Sequence, residues 1–234
     1  HPEARLLAFV HAETSTGAQS DAPTLAEIAH RQGALVIADA VTSLGGTPLH
    51  VDDWDIDAVY SGSQKCLSCA PGLSPVSFGE RAVARIRARR RRVQSWFLDL
   101  NLIMGYWGSG QRRAYHHTAP VNALYGLHEA LLILREEGLE NAWARHRRNH
   151  LALRAGLEAM GLSLVVREED RLPQLNAVAI PAGVDDAAVR ARLLDEFDLE
   201  IGACLGALEA VLGDLGAPIR TGVAIGAAQR RLGA

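Results

Sequence analysis

RLLAFVHAETSTGAQSDAPTLAEIAHRQGALVIAD, residues Arg5–Asp39, decides the fold class. Its opening, RLLAFVH, is a continuous apolar run and predicts a strand covered on both faces. A polar loop follows, and TLAEIAHRQG then predicts a helix. Thr24 and Glu27 have capping-box spacing at its start, and Gly33 stands where a glycine past the last turn ends a helix. ALVIAD, Ala34–Asp39, predicts a second buried strand. Parallel strands need a long crossover, so strand, helix and strand in this order imply a right-handed βαβ unit. A third strand is predicted in IDAVYSG, Ile56–Gly62. The fold class is therefore α/β, a mainly parallel sheet flanked by helices.

Beyond the third strand, residues 79–93 predict an arginine-rich helix. A long helix is predicted from Pro120 through Glu137, Gly138 breaks it, and Leu139–Met160 predicts another. The pattern then changes. LSLVV and LNAVAIP predict strands, and DDAAVRARLLDEF predicts a helix starting at Asp185 or Asp186. These later elements suit a small C-terminal α+β domain, with residues 1–138 belonging to a larger domain and 139–234 to the smaller.

The chain has 234 residues, 48% of them hydrophobic and 22% charged, as in globular proteins with packed cores. A formal net charge of −3 argues against a dedicated nucleic-acid or membrane-surface binder. No apolar run reaches the length needed to cross a bilayer. Three cysteines are too few for a disulfide framework, which favours a reducing compartment such as the cytoplasm. The chain opens without Met and enters a buried strand within a few residues, so a fragment of a longer protein is expected.

Two residues stand out for chemistry. Asp39 ends an apolar strand, and ligands in open α/β sheets bind beyond the carboxyl ends of strands. Taken alone, it reads as a helix or turn cap for the following DAVTSLGG. Lys65 follows the next strand, in VYSGSQKCLSCAPG, Val59–Gly72, and taken alone it reads as a surface lysine. Its amine would be nucleophilic only when neutral, in a partly desolvated pocket or beside another cation. An aspartate for a pyridinium nitrogen and a lysine for a Schiff base are the two protein groups that pyridoxal phosphate chemistry requires.

HAETSTG, ADAVTSLGGTPL, YSGSQKCLSCAPGLSPVSF and YHHTAPVNALYGLHEAL, in this order, resemble the class V (fold type I) pyridoxal-phosphate-dependent aminotransferases. The alanine–glyoxylate and serine–glyoxylate group is the nearest, and the resemblance runs from about His11 to Gly202. It implies part of a fold type I large domain plus a small C-terminal domain, with pyridoxal 5′-phosphate as cofactor. Lys65 would form the Schiff base and Asp39 would pair with the pyridine nitrogen. Val41 would pack on the ring, Thr14 would bond near the ring oxygen, and Gln64 would reach the phosphate. Tyr115 and Thr118 would contact the phosphate of the cofactor in the other subunit, which implies a homodimer with shared active sites.

Two departures from the family accompany this. The glycine-containing phosphate turn and the stacking aromatic residue of the family's first half are not in this chain. The arginine that grips the substrate carboxylate has no counterpart either, because DLEIGA runs directly into CLGALEAVLGDLGAP, a stretch like the family's final helix. An internal deletion between about Ala203 and Leu205 accounts for this, and loss of the clamp is expected to weaken substrate binding.

Other motifs read blandly. Cys66 and Cys69 have no further Cys/His partners at zinc spacing, so no metal site is expected. His116 and His117 would point to opposite faces of a strand and so serve packing and hydrogen bonding. The arginines of 85–92 would spread around a solvated helix. SLGGTP lacks the dinucleotide fingerprint. The expected activity is transamination between alanine or serine and a small 2-oxoacid, glyoxylate or pyruvate. The alternatives are a catalytically incomplete fragment, or a lyase of the cysteine desulfurase type, against which Gln64 before the lysine argues.

Overall fold

The computed structural model describes residues 1–107 and 114–203. The stretch read as a final helix, from Cys204 onward, lies outside them. The described strands and α-helices are β1 (Leu6–Val10), β2 (Ala12–Glu13), β3 (Ala18–Gln19), α1 (Ala22–Arg31), β4 (Leu35–Asp39), β5 (Ala58–Tyr60), β6 (Val76–Phe78), α2 (Glu80–Arg87), α3 (Leu100–Trp107), α4 (Val121–Glu137), α5 (Leu139–Ala159) and α6 (Asp186–Phe197). They fall into two compact units, one of His1–Val10, Asp21–Val41 and Leu49–Glu136, the other of His11–Ser20, Thr42–Pro48 and the chain from Glu137 onward.

The first unit holds a four-stranded sheet in the order β1-β4-β5-β6. β1 pairs with β4 and β4 with β5 in parallel, as the βαβ reading expects, while β6 adds an antiparallel edge. α1 packs its Ala22, Ala26 and Ala29 with Val36 and Ala38, and Leu7, Phe9 and Val59 complete that layer. Small alanines permit this close approach, because each adds one methyl where a longer chain would hold helix and sheet apart. The opposite face is barer than RLLAFVH suggests. β1 is an edge strand whose residues alternate, with Leu6 and Val10 exposed and Leu7 and Phe9 half-buried. Among the described residues helical cover lies on one side of it, so there the apolar run is buried on one face instead of two.

Capping also differs from expectation. Asp21, not Thr24, caps α1, its carboxylate accepting the Thr24 N–H at 3.3 Å, with Pro23 in the first turn. A carboxylate suits a helix N-terminus better than a hydroxyl, through its charge as well as its lone pairs. Gly33 closes the helix as read, with φ +71 and its N–H on His30 O at 2.9 Å. α2 stops at Arg87, well short of the helix predicted through residue 93. The Ala88 N–H closes the last turn on Ala84 O at 3.0 Å, and Arg89 then folds back in a shorter turn onto Ile86 O at 3.2 Å.

The amino ends of β4 and β5 are tied by a buried carboxylate. Asp57 accepts from the Val36 N–H at 2.8 Å, from His30 Nε2 at 3.0 Å and from Arg81 Nε at 2.5 Å. Burial works to raise its pKa, but these hydrogen bonds outweigh it and hold the carboxyl below the usual range. Removing the group strands the buried Val36 N–H and the Arg81 Nε–H, while the rest of the guanidinium keeps Asp55. Asp57→Ala is expected to lower stability by about 2 kcal/mol, read as a drop in the urea midpoint at constant slope. An unchanged midpoint would refute the tie.

In the second unit β2 and β3 form a short antiparallel hairpin. Gly17 turns it with φ +80, and a Cβ there would come within 2.6 Å of Leu175 O. The Gly17 carbonyl also accepts the Leu172 N–H at 2.9 Å, so only glycine suits this approach. α5 and α6 lie where they were predicted, and Asp185 caps α6 by accepting the Ala188 N–H at 3.2 Å. LSLVV and LNAVAIP, predicted as strands, meet only at an isolated antiparallel bridge between Leu164 and Val178. Two hydrogen bonds, Val165 N–H to Ala177 O and Ala179 N–H to Ser163 O, do not extend into a ladder.

His11 opens this hairpin, almost fully buried, with the Gln19 amide 3.2 Å from Nε2. Burial disfavours its cation and brings its pKa down to about 4. The unfolded chain, with the ordinary imidazole value, takes up a proton first as pH falls. The stability due to neutral His11 is therefore complete above pH 6.5 and lost as pH falls toward 4. His11→Gln is expected to remove roughly 2–3 kcal/mol of that pH dependence, read as a flatter plot of urea midpoint against pH. An equally steep plot for the variant would count against this.

Candidate active site

The candidate site starts where β4 ends. In the parallel register Asp39 lies opposite Tyr60 of β5, so two strand-end side chains stand beside each other. The Tyr60 hydroxyl donates to Asp39 Oδ2 at 2.7 Å, and the Val41 N–H donates to Oδ1 at 2.8 Å. Both carboxylate oxygens are thereby oriented. The hydrogen bond to Asp39 raises the Tyr60 pKa, with partial burial and the nearby charge adding to it. Tyr60 was not singled out from the sequence. Its role depends on which residue faces Asp39, and pairing alone decides that.

Lys65 lies on the loop that leaves β5 and returns as β6. Serines set the shape of this loop. The Ser61 hydroxyl donates to Ala40 O at 2.9 Å, and its N–H donates to Pro75 O at 2.9 Å. Ser63, fully buried, donates its hydroxyl to Ala70 O at 2.6 Å, its N–H to Leu73 O at 3.0 Å, and accepts the Cys69 N–H on its carbonyl at 3.0 Å. The base of the Lys65 loop is thus fastened to the residue next to Asp39. Lys65 is half-buried, and its amine has no hydrogen-bond or ion-pair partner among the described residues. Gln64 is exposed and folds its amide over Gly62, where a Cβ would meet Oε1 at 2.8 Å.

Thr14 belongs to the second unit, on the hairpin turn, and its hydroxyl bonds that of buried Thr42 at 2.5 Å. The Thr42 carbonyl accepts from the Gln174 amide at 3.0 Å. In the first unit, Tyr115 and Thr118 join hydroxyls at 2.6 Å and both stay exposed. The two histidines between them do not diverge as a strand would require. The segment is irregular, and His116 Nδ1 lies 2.7 Å from His117 Nδ1, so one ring donates to the other. His116 stacks on Trp96 at 4.1 Å and places Nε2 3.1 Å from the Trp96 carbonyl. Cys66 and Cys69 form no disulfide, and no cluster of metal-ligating side chains occurs among the described residues.

The arrangement offers an oriented carboxylate at a strand end and an unpartnered amine on the adjoining, fastened loop. The chain matches the family described as aminotransferase class-V over residues 1–214. It is 42% identical over 203 residues to an alanine–glyoxylate aminotransferase of Callithrix jacchus, covering 86% of this chain and 49% of that protein. It is 37% identical over 222 residues to the (S)-ureidoglycine–glyoxylate transaminase of Bacillus subtilis, covering 87% of this chain and 53% of that protein. Among solved structures, an alanine–glyoxylate aminotransferase from Nostoc sp. superposes with a TM-score of 0.82 at 50% identity, over 87% of this chain and 54% of that one. The chain spans about half the length of the curated relatives it matches.

Proposed function

The chain belongs to the class-V aminotransferase family, and we propose that it serves pyridoxal-phosphate-dependent transamination with Lys65 as the covalent anchor. The donor is a small amino acid, alanine or serine, and the acceptor a small 2-oxoacid, glyoxylate or pyruvate. The observation that carries the reading is the pairing of Asp39, held by Tyr60 and Val41, with the free amine of Lys65 on a loop fastened to Ala40.

These residues fit the cofactor by the chemistry of the donor set. When bound, pyridoxal phosphate supplies an electron sink for the carbanion left by loss of a substrate α-proton. Asp39 would hold a proton on the ring nitrogen, with Tyr60 keeping that carboxylate from rotating. Lys65 would hold the aldehyde and serve as the base for the substrate α-proton. As the family resemblance implies, Val41 would pack on the ring, Thr14 would bond near the ring oxygen and Gln64 would reach the phosphate. Tyr115 and Thr118, whose hydroxyls are joined and exposed, would contact the phosphate of the cofactor in a second copy, the homodimer that the family resemblance implies. Residues 1–138 act as part of the large cofactor domain and 139–234 as the small one. A reducing compartment such as the cytoplasm is the setting that three cysteines in the chain favour.

The test is chemical. Full-length chain mixed with pyridoxal phosphate should develop a visible absorption band, and borohydride reduction should fix the label on the peptide containing Lys65. Label elsewhere, or no band, rejects the anchor. Incubation with cysteine separates the lyase alternative: sulfide release without pyridoxamine phosphate would overturn transamination.

A further inference from the structure

The arginine run is exposed to solvent as the sequence suggests, but it leaves the helix early. Arg85 lies in the last turn of α2, but Arg89, Arg90 and Arg91 follow the helix end, and all four line a cavity of about 720 Å³. That size lies within the range of small-molecule sites. Its wall also includes Ile86, Val93, Leu98 and Leu100, and neither Asp39 nor Lys65 belongs to it. Two internal bonds shape it. The Arg89 Nε–H donates to Arg91 O at 3.1 Å, curling the segment, and the Asn101 amide of α3 lies 3.5 Å from Ile86 O of α2.

The charges in this cavity are not balanced by protein. Some arginines elsewhere meet carboxylates, as Arg81 meets Asp55 and Asp57, Arg145 meets Glu137 and Arg154 meets Glu168, while others, such as Arg87 and Arg135, stand alone and apart from one another. Arg85, Arg89, Arg90 and Arg91 have no ion-pair partner among the described residues. Asp99 is the single acidic residue in the wall, and its Oδ1 already accepts the Asn101 N–H at 3.0 Å. Arg85 is placed to offset the carbonyls at the end of α2. That leaves Arg89, Arg90 and Arg91 clustered without such a reason, at a cost in mutual repulsion.

We propose that this cavity binds a small organic polyanion bearing two or more phosphate or carboxylate groups. Guanidinium forks match both groups bidentately, and the Ile86, Leu98 and Leu100 side chains suit an apolar body between them. The site adds to the transamination reading and does not depend on it.

Calorimetric titration of the full chain at fixed salt tests this, with pyrophosphate and citrate as the phosphate and carboxylate probes. Saturable binding of either, one per chain, is expected. Arg89→Gln with Arg91→Gln should weaken it about tenfold or more, the loss of one or two charged hydrogen bonds. The control pair Arg31→Gln with Arg192→Gln changes net charge equally at other sites and should leave affinity unchanged within about twofold. Equal loss in both pairs, or no saturable binding of either probe, overturns the proposal. So does tighter binding of a single-stranded oligonucleotide than of both probes, which would make the cavity part of a nucleic-acid surface.

Discussion

Lys65→Ala should abolish the visible band formed with pyridoxal phosphate and reduce transamination of alanine with glyoxylate by about 10²–10⁴-fold or more. The substitution removes the amine proposed both to bond the aldehyde and to move the α-proton. The fold should survive. Lys65 makes no side-chain bond among the described residues, so its loss should shift the urea midpoint by no more than about 0.5 kcal/mol. Lys65→Arg is the companion variant: it keeps the positive charge but offers no nucleophile, and should fail as completely. A borohydride-stable label on Lys65→Ala at the wild-type yield would show that another amine anchors the cofactor.

Asp39→Asn should slow transamination by about 10²–10³-fold, because a neutral amide cannot hold the proton on the pyridine nitrogen. Shape is preserved, since asparagine can still accept from Val41. A second readout is independent of turnover. In the wild type the hydrogen bond to Asp39 raises the Tyr60 pKa, so in the variant the phenol should ionise at lower pH, followed by phenolate absorbance. Full activity with an unshifted Tyr60 would separate Asp39 from the site altogether.

Asp39 and Lys65 could be proposed from the sequence because one ends a strand-forming run and the other follows one, where an α/β sheet presents its ligands. Tyr60 was not, since its neighbour is fixed by inter-strand register and not by local pattern. Ser61 and Ser63 were equally hidden: small polar residues in a loop look alike until their carbonyl partners are known. The end of α2 escaped notice because arginine and alanine favour helix on either side of the stop. The rival caps Asp21 and Thr24 lie three residues apart, and a periodic pattern cannot rank a carboxylate against a hydroxyl. For β1, an unbroken apolar run cannot distinguish a strand covered twice from one covered once.

That bare side of β1 bears on how the chain behaves at high concentration. Its outer rim has no strand neighbour among the described residues, and Leu6 and Val10 face outward beside it. A rim of this kind templates pairing with another copy, at a rate that climbs steeply with concentration. Arg5 is the only charge flanking it closely, so a lysine in place of Ala8 would act as a gatekeeper against turbidity.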